Sequence, residues 1–148
     1  MESSKILGYM LGRSLRVFKN QLIFEFKEKK IELSFEQFVI LHLLNADCNL
    51  IQQDLANHLQ KDKSIIVRQI HYLLENQYVV RLTNKADKRK RNLILTKNGL
   101  ELLNQMKEIA LEISKKLLIG VSEKELEIFR NVLMKIQENG GAEAKKNL

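Results

Sequence analysis

Residues 82–96 read LTNKADKRKRNLILT. Two short apolar strands, Val79–Thr83 and Asn92–Thr96, are expected to flank a tip that sets Lys85, Lys88, Arg89, Lys90 and Arg91 against one acid, Asp87. A hairpin tip this dense in cations repels itself until an anion lies opposite, and nucleic acid is the commonest polyanion in a cell. The segment before it, Asp62–Asn76, has the periodicity of a helix with one apolar and one polar face. Helix followed by basic hairpin is the layout of a winged helix-turn-helix, with one element for the major groove and one for the adjacent minor groove or backbone. A basic run alone could equally be a solvated loop. What precedes it argues for the wing.

Around the axis of the 62–76 helix, Ile66, Ile70 and Leu73 fall on one side, and Ser64, Val67, Arg68 and His71 on the other. Small or polar residues in the early turns, with an arginine one turn further on, suit a helix that enters the major groove. Asp62 is placed to cap it. Upstream, Ser34-Phe35-Glu36-Gln37 has the form of a capping box opening a helix to about Ala46 that buries Phe38, Leu41 and Val39. A polar break, Asp47–Asn49, leads to a compact helix over Ile51–Leu59 anchored by Leu55, Ala56 and Leu59. Residues 5–29 place Leu7, Leu11, Leu15, Phe18 and Leu22 three or four apart, the spacing of a long amphipathic helix. After the hairpin, Thr96 caps a helix with Leu103, Met106, Ala110, Ile113 and Leu117 in register, ended by Gly120. Ser122-Glu123-Lys124-Glu125 is a second capping box, and the helix it opens is expected to bury Leu126, Phe129, Leu133 and Ile136 before Gly140-Gly141 and a lysine-containing tail.

The 148 residues are one domain's worth, with 45% hydrophobic and 29% charged residues, as in an ordinary globular protein. A net charge of +7 favours an acidic partner. No apolar run is long enough to span a bilayer, and the amino terminus lacks the apolar core of a signal peptide, so a cytoplasmic protein with no membrane partner is expected. The single cysteine, Cys48, fits a reducing compartment. The fold class that follows is mainly α with a small β-wing. A lobe over residues 34–99 builds its own core, and the flanking helices, 5–30 and 100–138, carry apolar stripes too long for that core to cover. Two copies interleaving these helices in a symmetric dimer would bury them.

The ordered series LSFEQFVILHLL (33–44), IQQDLANHLQKDKSIIVRQIHYLLENQYVVR (51–81) and ADKRKRNLILTKNG (86–99) resembles the MarR family of bacterial transcriptional regulators, over about residues 5 to 138. The resemblance includes the D-x-R pattern at Asp87 and Arg89 and the L-T-x-x-G close at Leu95, Thr96 and Gly99. It implies one MarR-like domain, a homodimer on a pseudo-palindromic operator of double-stranded DNA, usually a repressor, released or altered by a small molecule or oxidant. It also implies that Arg89 is the wing-tip arginine entering the minor groove, that Asp87 holds it by a salt bridge, and that Arg68 lies on the recognition helix. A narrow minor groove concentrates negative potential and attracts such an arginine. Phosphate contacts are expected from Lys63, Ser64, Lys85, Lys88, Lys90 and Arg91, and base contacts from Val67, Arg68, His71 and Arg89. Two departures bear on this. Gln77 stands where the family commonly has glycine, which calls for a different turn or a left-handed residue. Ile65 and Val67 stand where threonine is frequent, so a groove-facing Val67 would offer a thymine methyl only apolar contact.

Catalysis has little support, since neither a G-x-S-x-G elbow nor a glycine-rich phosphate loop occurs. His42, His58 and His71 lack i, i+4 metal spacing, and no metal or cofactor is expected. Cys48 follows Asp47, whose charge works against a thiolate, so an inert thiol is favoured over a redox switch. An effector pocket is placed where the first, second and fifth helices meet, at Leu15, Phe18, Phe38 and Met106, each of which also suits plain core. Two other readings stay open: a winged-helix dimer that binds protein, and a regulator responding to oxidation of Cys48.

Overall fold

The computed structural model describes residues 6–141. In chain order it contains α1 (Leu7–Glu28), α2 (Phe35–Ala46), α3 (Gln52–Leu59), α4 (Lys63–Glu75), β1 (Val79–Thr83), β2 (Arg91–Leu95), α5 (Lys97–Leu117) and α6 (Glu123–Asn139). Lys5, the first residue of the expected amino-terminal helix, and the lysine-containing tail past Gly141 lie outside the described residues.

Both expected capping boxes form. The Ser34 hydroxyl accepts the Gln37 amide at 3.1 Å while Gln37 Oε1 accepts the Ser34 amide at 2.9 Å. Ser122 and Glu125 repeat the exchange at 3.2 and 2.8 Å. The Ser122 hydroxyl also donates to Glu125 Oε2 at 2.9 Å, and the Ser122 amide, then this hydroxyl, hold the Glu125 carboxyl below its ordinary range. Asp62 sits at the amino-terminal boundary of α4 but its side chain makes no capping hydrogen bond, contrary to expectation. At the end of α4 the departure at Gln77 is resolved as a left-handed residue, φ 59°. The Tyr78 amide then reaches back to the Leu73 carbonyl at 2.9 Å.

β1 and β2 pair antiparallel, with Val79 opposite Leu95 and Thr83 opposite Arg91. The second strand therefore starts and stops one residue earlier than expected, because Thr96 leaves the sheet to cap α5. Its hydroxyl accepts the Gly99 amide at 3.0 Å and donates to the Gln77 carbonyl at 2.6 Å. Gly99 closes this junction because a Cβ there would fall on the Tyr78 carbonyl oxygen. The Leu93 amide donates to the Leu50 carbonyl at 3.2 Å, which draws the start of α3 against the hairpin.

The core gathers Leu22 and Phe26 of α1, Ile40, Leu41 and Leu44 of α2, Leu55 of α3, Ile66, Ile70 and Leu73 of α4, Val79, Leu93, and Leu103, Met106 and Ile113 of α5. In α2 the buried face is centred on Ile40, Leu41 and Leu44, and Phe38 and Val39 are only half-buried. Phe38 meets the edge of Phe26 at 5.8 Å between ring centroids. The larger correction concerns α6, which buries no residue: Phe129 and Ile136 are exposed, and Leu126 and Leu133 only half-covered. Its apolar stripe has no counterpart among the described residues. The amino-terminal half of α1 is similar, with Leu7, Met10 and Leu15 exposed.

Candidate nucleic-acid interface

α4 presents its outer face as its periodicity requires. Ile66, Ile70 and Leu73 are buried, and this fixes Lys63, Ser64, Val67, Arg68 and His71 on the exposed side. Ile65 is exposed as well. His71 Nε2 meets the Glu75 carboxylate one turn on at 2.9 Å, with both side chains largely solvated. An exposed pair of this kind contributes little stability and leaves His71 free to exchange partners.

The wing tip exposes Lys85, Lys88, Arg89, Lys90 and Arg91. It is ordered by two short side chains that bond to the backbone ahead of them. Asn84 Oδ1 accepts the amides of Ala86 and Asp87 at 2.8 and 3.1 Å, and Asp87 Oδ1 accepts the Arg89 amide at 3.0 Å. The expected salt bridge from Asp87 to the Arg89 guanidinium does not form. A carboxylate two residues upstream lies within easy reach of the amide, which leaves the guanidinium projecting. Asn84 and Lys90 close the loop through backbone, at 3.0 Å.

Gln52, Gln53 and Arg81 were not singled out in the sequence, yet they line a cleft of about 380 Å³ together with Lys63, Arg89, Lys90 and Arg91. The available signal was the alternation of β1: Arg81 is two residues from buried Val79 and opposite buried Leu93, so it shares their face.

The four proposed effector contacts differ in how they are buried. Met106 is fully buried in the core, Leu15 is exposed, and Phe18 and Phe38 are half-buried at the core margin. None of them lines the groove of about 440 Å³ between α1 and α5, where Gln21, Glu25, Lys29, Glu108 and Glu112 lie. Nor do they line the groove of about 630 Å³ at the end of α1, flanked by Ile23, Phe26, Lys27, Lys30 and Leu33. His42 is half-buried, and burial, then the nearby Lys107 charge, pushes its imidazole below the ordinary value. Cys48 is exposed. Among the described residues, no group of three or more His, Cys, Asp or Glu side chains could hold a metal, and no helix is long and apolar enough to cross a membrane.

The MarR family model matches residues 33–90, which span α2 through the wing tip. A MarR transcriptional regulator from Methanosarcina mazei Go1 superposes with a TM-score of 0.80 at 25% identity, covering 92% of this chain and 96% of its own. A MarR-family regulator from Listeria monocytogenes, complexed with a 26-mer DNA, gives 0.80 at 26% identity, over 90% and 87% of the two chains. CouR from Rhodococcus jostii RHA1, bound to p-coumaroyl-CoA, gives 0.79 at 21% identity, over 90% and 92%.

Proposed function

We propose that the chain, whose residues 33–90 match the MarR family model and whose fold superposes on a MarR transcriptional regulator, is a sequence-specific, double-stranded-DNA-binding repressor that acts as a homodimer on a pseudo-palindromic operator and responds to a small molecule. The observation that carries this is the pairing of two exposed elements. The outer face of α4 holds Ser64, Val67, Arg68 and His71, and the wing beside it concentrates five cations around an ordered tip. α4 enters the major groove, where Arg68 and His71 reach base edges and Val67 meets a thymine methyl. Arg89 enters the minor groove, and Lys63, Ser64, Lys85, Lys88, Lys90 and Arg91 hold the phosphates. The DNA complex of the Listeria relative supports DNA binding by this fold.

A second copy of the chain covers the apolar stripes of α1 and α6. Residues 5–30 and 100–138 thus serve dimerisation and 34–99 serve DNA binding, within one domain. An effector binds where these parts meet, near Phe18 and Phe38, once the partner completes the cavity. CouR with its bound acyl-CoA gives precedent for an aromatic ligand on this fold. The protein works in the cytoplasm and carries out no catalysis.

Selection of fragmented genomic DNA by the purified protein near physiological salt tests the proposal. One or a few enriched palindromic sites, with half-sites about one helical turn apart, are expected. Recovery no better than random fragments would overturn it.

A further inference from the structure

The wing holds a second row of cations, on the face turned toward the helices. The pairs Val79–Leu95, Arg81–Leu93 and Thr83–Arg91 share one side of the hairpin. Val79 and Leu93 on that side are buried, whereas Arg81 and Arg91 are exposed, so the arginines continue the inner face past the edge of the core. The Leu93–Leu50 hydrogen bond brings the start of α3 to the same edge. The cleft between them is lined by cations and the amides of Gln52 and Gln53, with no carboxylate. Among the described residues, none of its lysines or arginines is in an ion pair. Gln52 Nε2 is buried without an acceptor.

A buried donor without an acceptor is costly, and several cations without a counter-ion repel one another. The cationic repulsion is relieved by one compact anion with several acceptor oxygens, which is the chemistry of a phosphoryl group, and the same anion is an acceptor for the Gln52 amide once that side chain turns into the cleft. We propose that this cleft seats a backbone phosphodiester of bound DNA, held by Arg81 and Arg91 from the wing, Lys63 from α4 and the Gln52 amide from α3. The inference rests on the DNA-binding function proposed above and adds a mechanical role to it. A phosphate in the cleft ties three elements together and sets the wing at a fixed distance from α4, so that both grooves are engaged in register.

The test is affinity for a selected duplex and for an unrelated duplex, each measured across a salt series. Arg81→Ala and Arg91→Ala are each expected to weaken both duplexes by the same factor, about tenfold, and to reduce the salt slope by about one. Gln52→Leu should weaken both with no change in slope, because it removes a donor and no charge. Lys124→Ala, a cation at the start of α6, is the control and should alter neither quantity. Unchanged affinity and slope in Arg81→Ala and Arg91→Ala, while the wild type binds DNA, would overturn the phosphate seat and leave the DNA-binding function standing. A wild type that binds neither duplex would remove both. Calorimetry with inorganic pyrophosphate separates the remaining source. Binding that Arg81→Ala abolishes without affecting DNA affinity would assign the cleft to a free phosphate ester and contradict the proposal.

Discussion

The Thr96 hydroxyl donates to the Gln77 carbonyl at 2.6 Å, and this bond joins the end of α4 to the start of α5 across the base of the wing. The same oxygen accepts the Gly99 amide, so one side chain serves as helix cap and cross-link. Gln77 is held at φ 59°, a conformation that costs a β-branched residue more than an unbranched one. Thr96→Ala should therefore lower stability by about 1–2 kcal/mol. Gln77→Val should lower it by a similar amount, about 1–2 kcal/mol, whereas Gln77→Gly should not. Urea denaturation reads all three, and equal midpoints for Gln77→Val and Gln77→Gly would contradict the strain assignment.

Asp87 orders the wing tip by accepting the Arg89 amide at 3.0 Å, and its charge is not what the geometry uses. Asp87→Asn retains an acceptor and should keep DNA affinity close to wild type. Asp87→Ala removes it and should weaken binding by about 1 kcal/mol, the worth of one such hydrogen bond. Equal loss in both variants would restore the salt-bridge explanation.

The stripe of Ile128, Phe129, Val132 and Ile136 on α6 is exposed in the single chain. If a second copy covers it, light scattering should give twice the chain mass for the wild type. Phe129→Glu should shift that value toward one chain, because a carboxylate would then be buried without a partner. A wild type of single-chain mass at micromolar concentration would exclude the dimer.

His42 makes a pH-dependent contribution to stability with a definite sign. Its folded value lies below the ordinary one, so between the two the unfolded chain binds the extra proton. Stability should fall as the pH drops below about 6.5 and the loss should level off beneath the folded value. His42→Gln should flatten this part of the profile. An unaltered profile between pH 7.5 and 5.5 would show that His42 does not contribute.

Much of this architecture was legible because its determinants are local. The Ser34–Gln37 and Ser122–Glu125 boxes need only four residues each, and the faces of α4 follow from the spacing of Ile66, Ile70 and Leu73. The buried face of α2 was harder to read, since FVILHLL is apolar nearly all round and its periodicity selects no single side. The stripe on α6 was legible as apolar, but the described residues of the chain do not cover it. Arg81 passed as an ordinary strand residue because its placement depends on pairing with Leu93, twelve positions away, and on the approach of Leu50. Asp87 was expected to hold Arg89 by a salt bridge, and its role as acceptor of the Arg89 amide instead is a matter of local backbone geometry.

The central claim is that the α4 face and the wing tip read a DNA sequence. Its most direct test is the ratio of affinities for a selected duplex and a scrambled one at about 150 mM salt, for the wild type and Arg89→Ala. The wild type should prefer the selected duplex by about a thousandfold or more. Arg89→Ala should lose about 1–3 kcal/mol on the selected duplex with its fold intact. Equal affinity of the wild type for both duplexes would contradict the account, and an unchanged ratio in Arg89→Ala would remove Arg89 from the reading contacts.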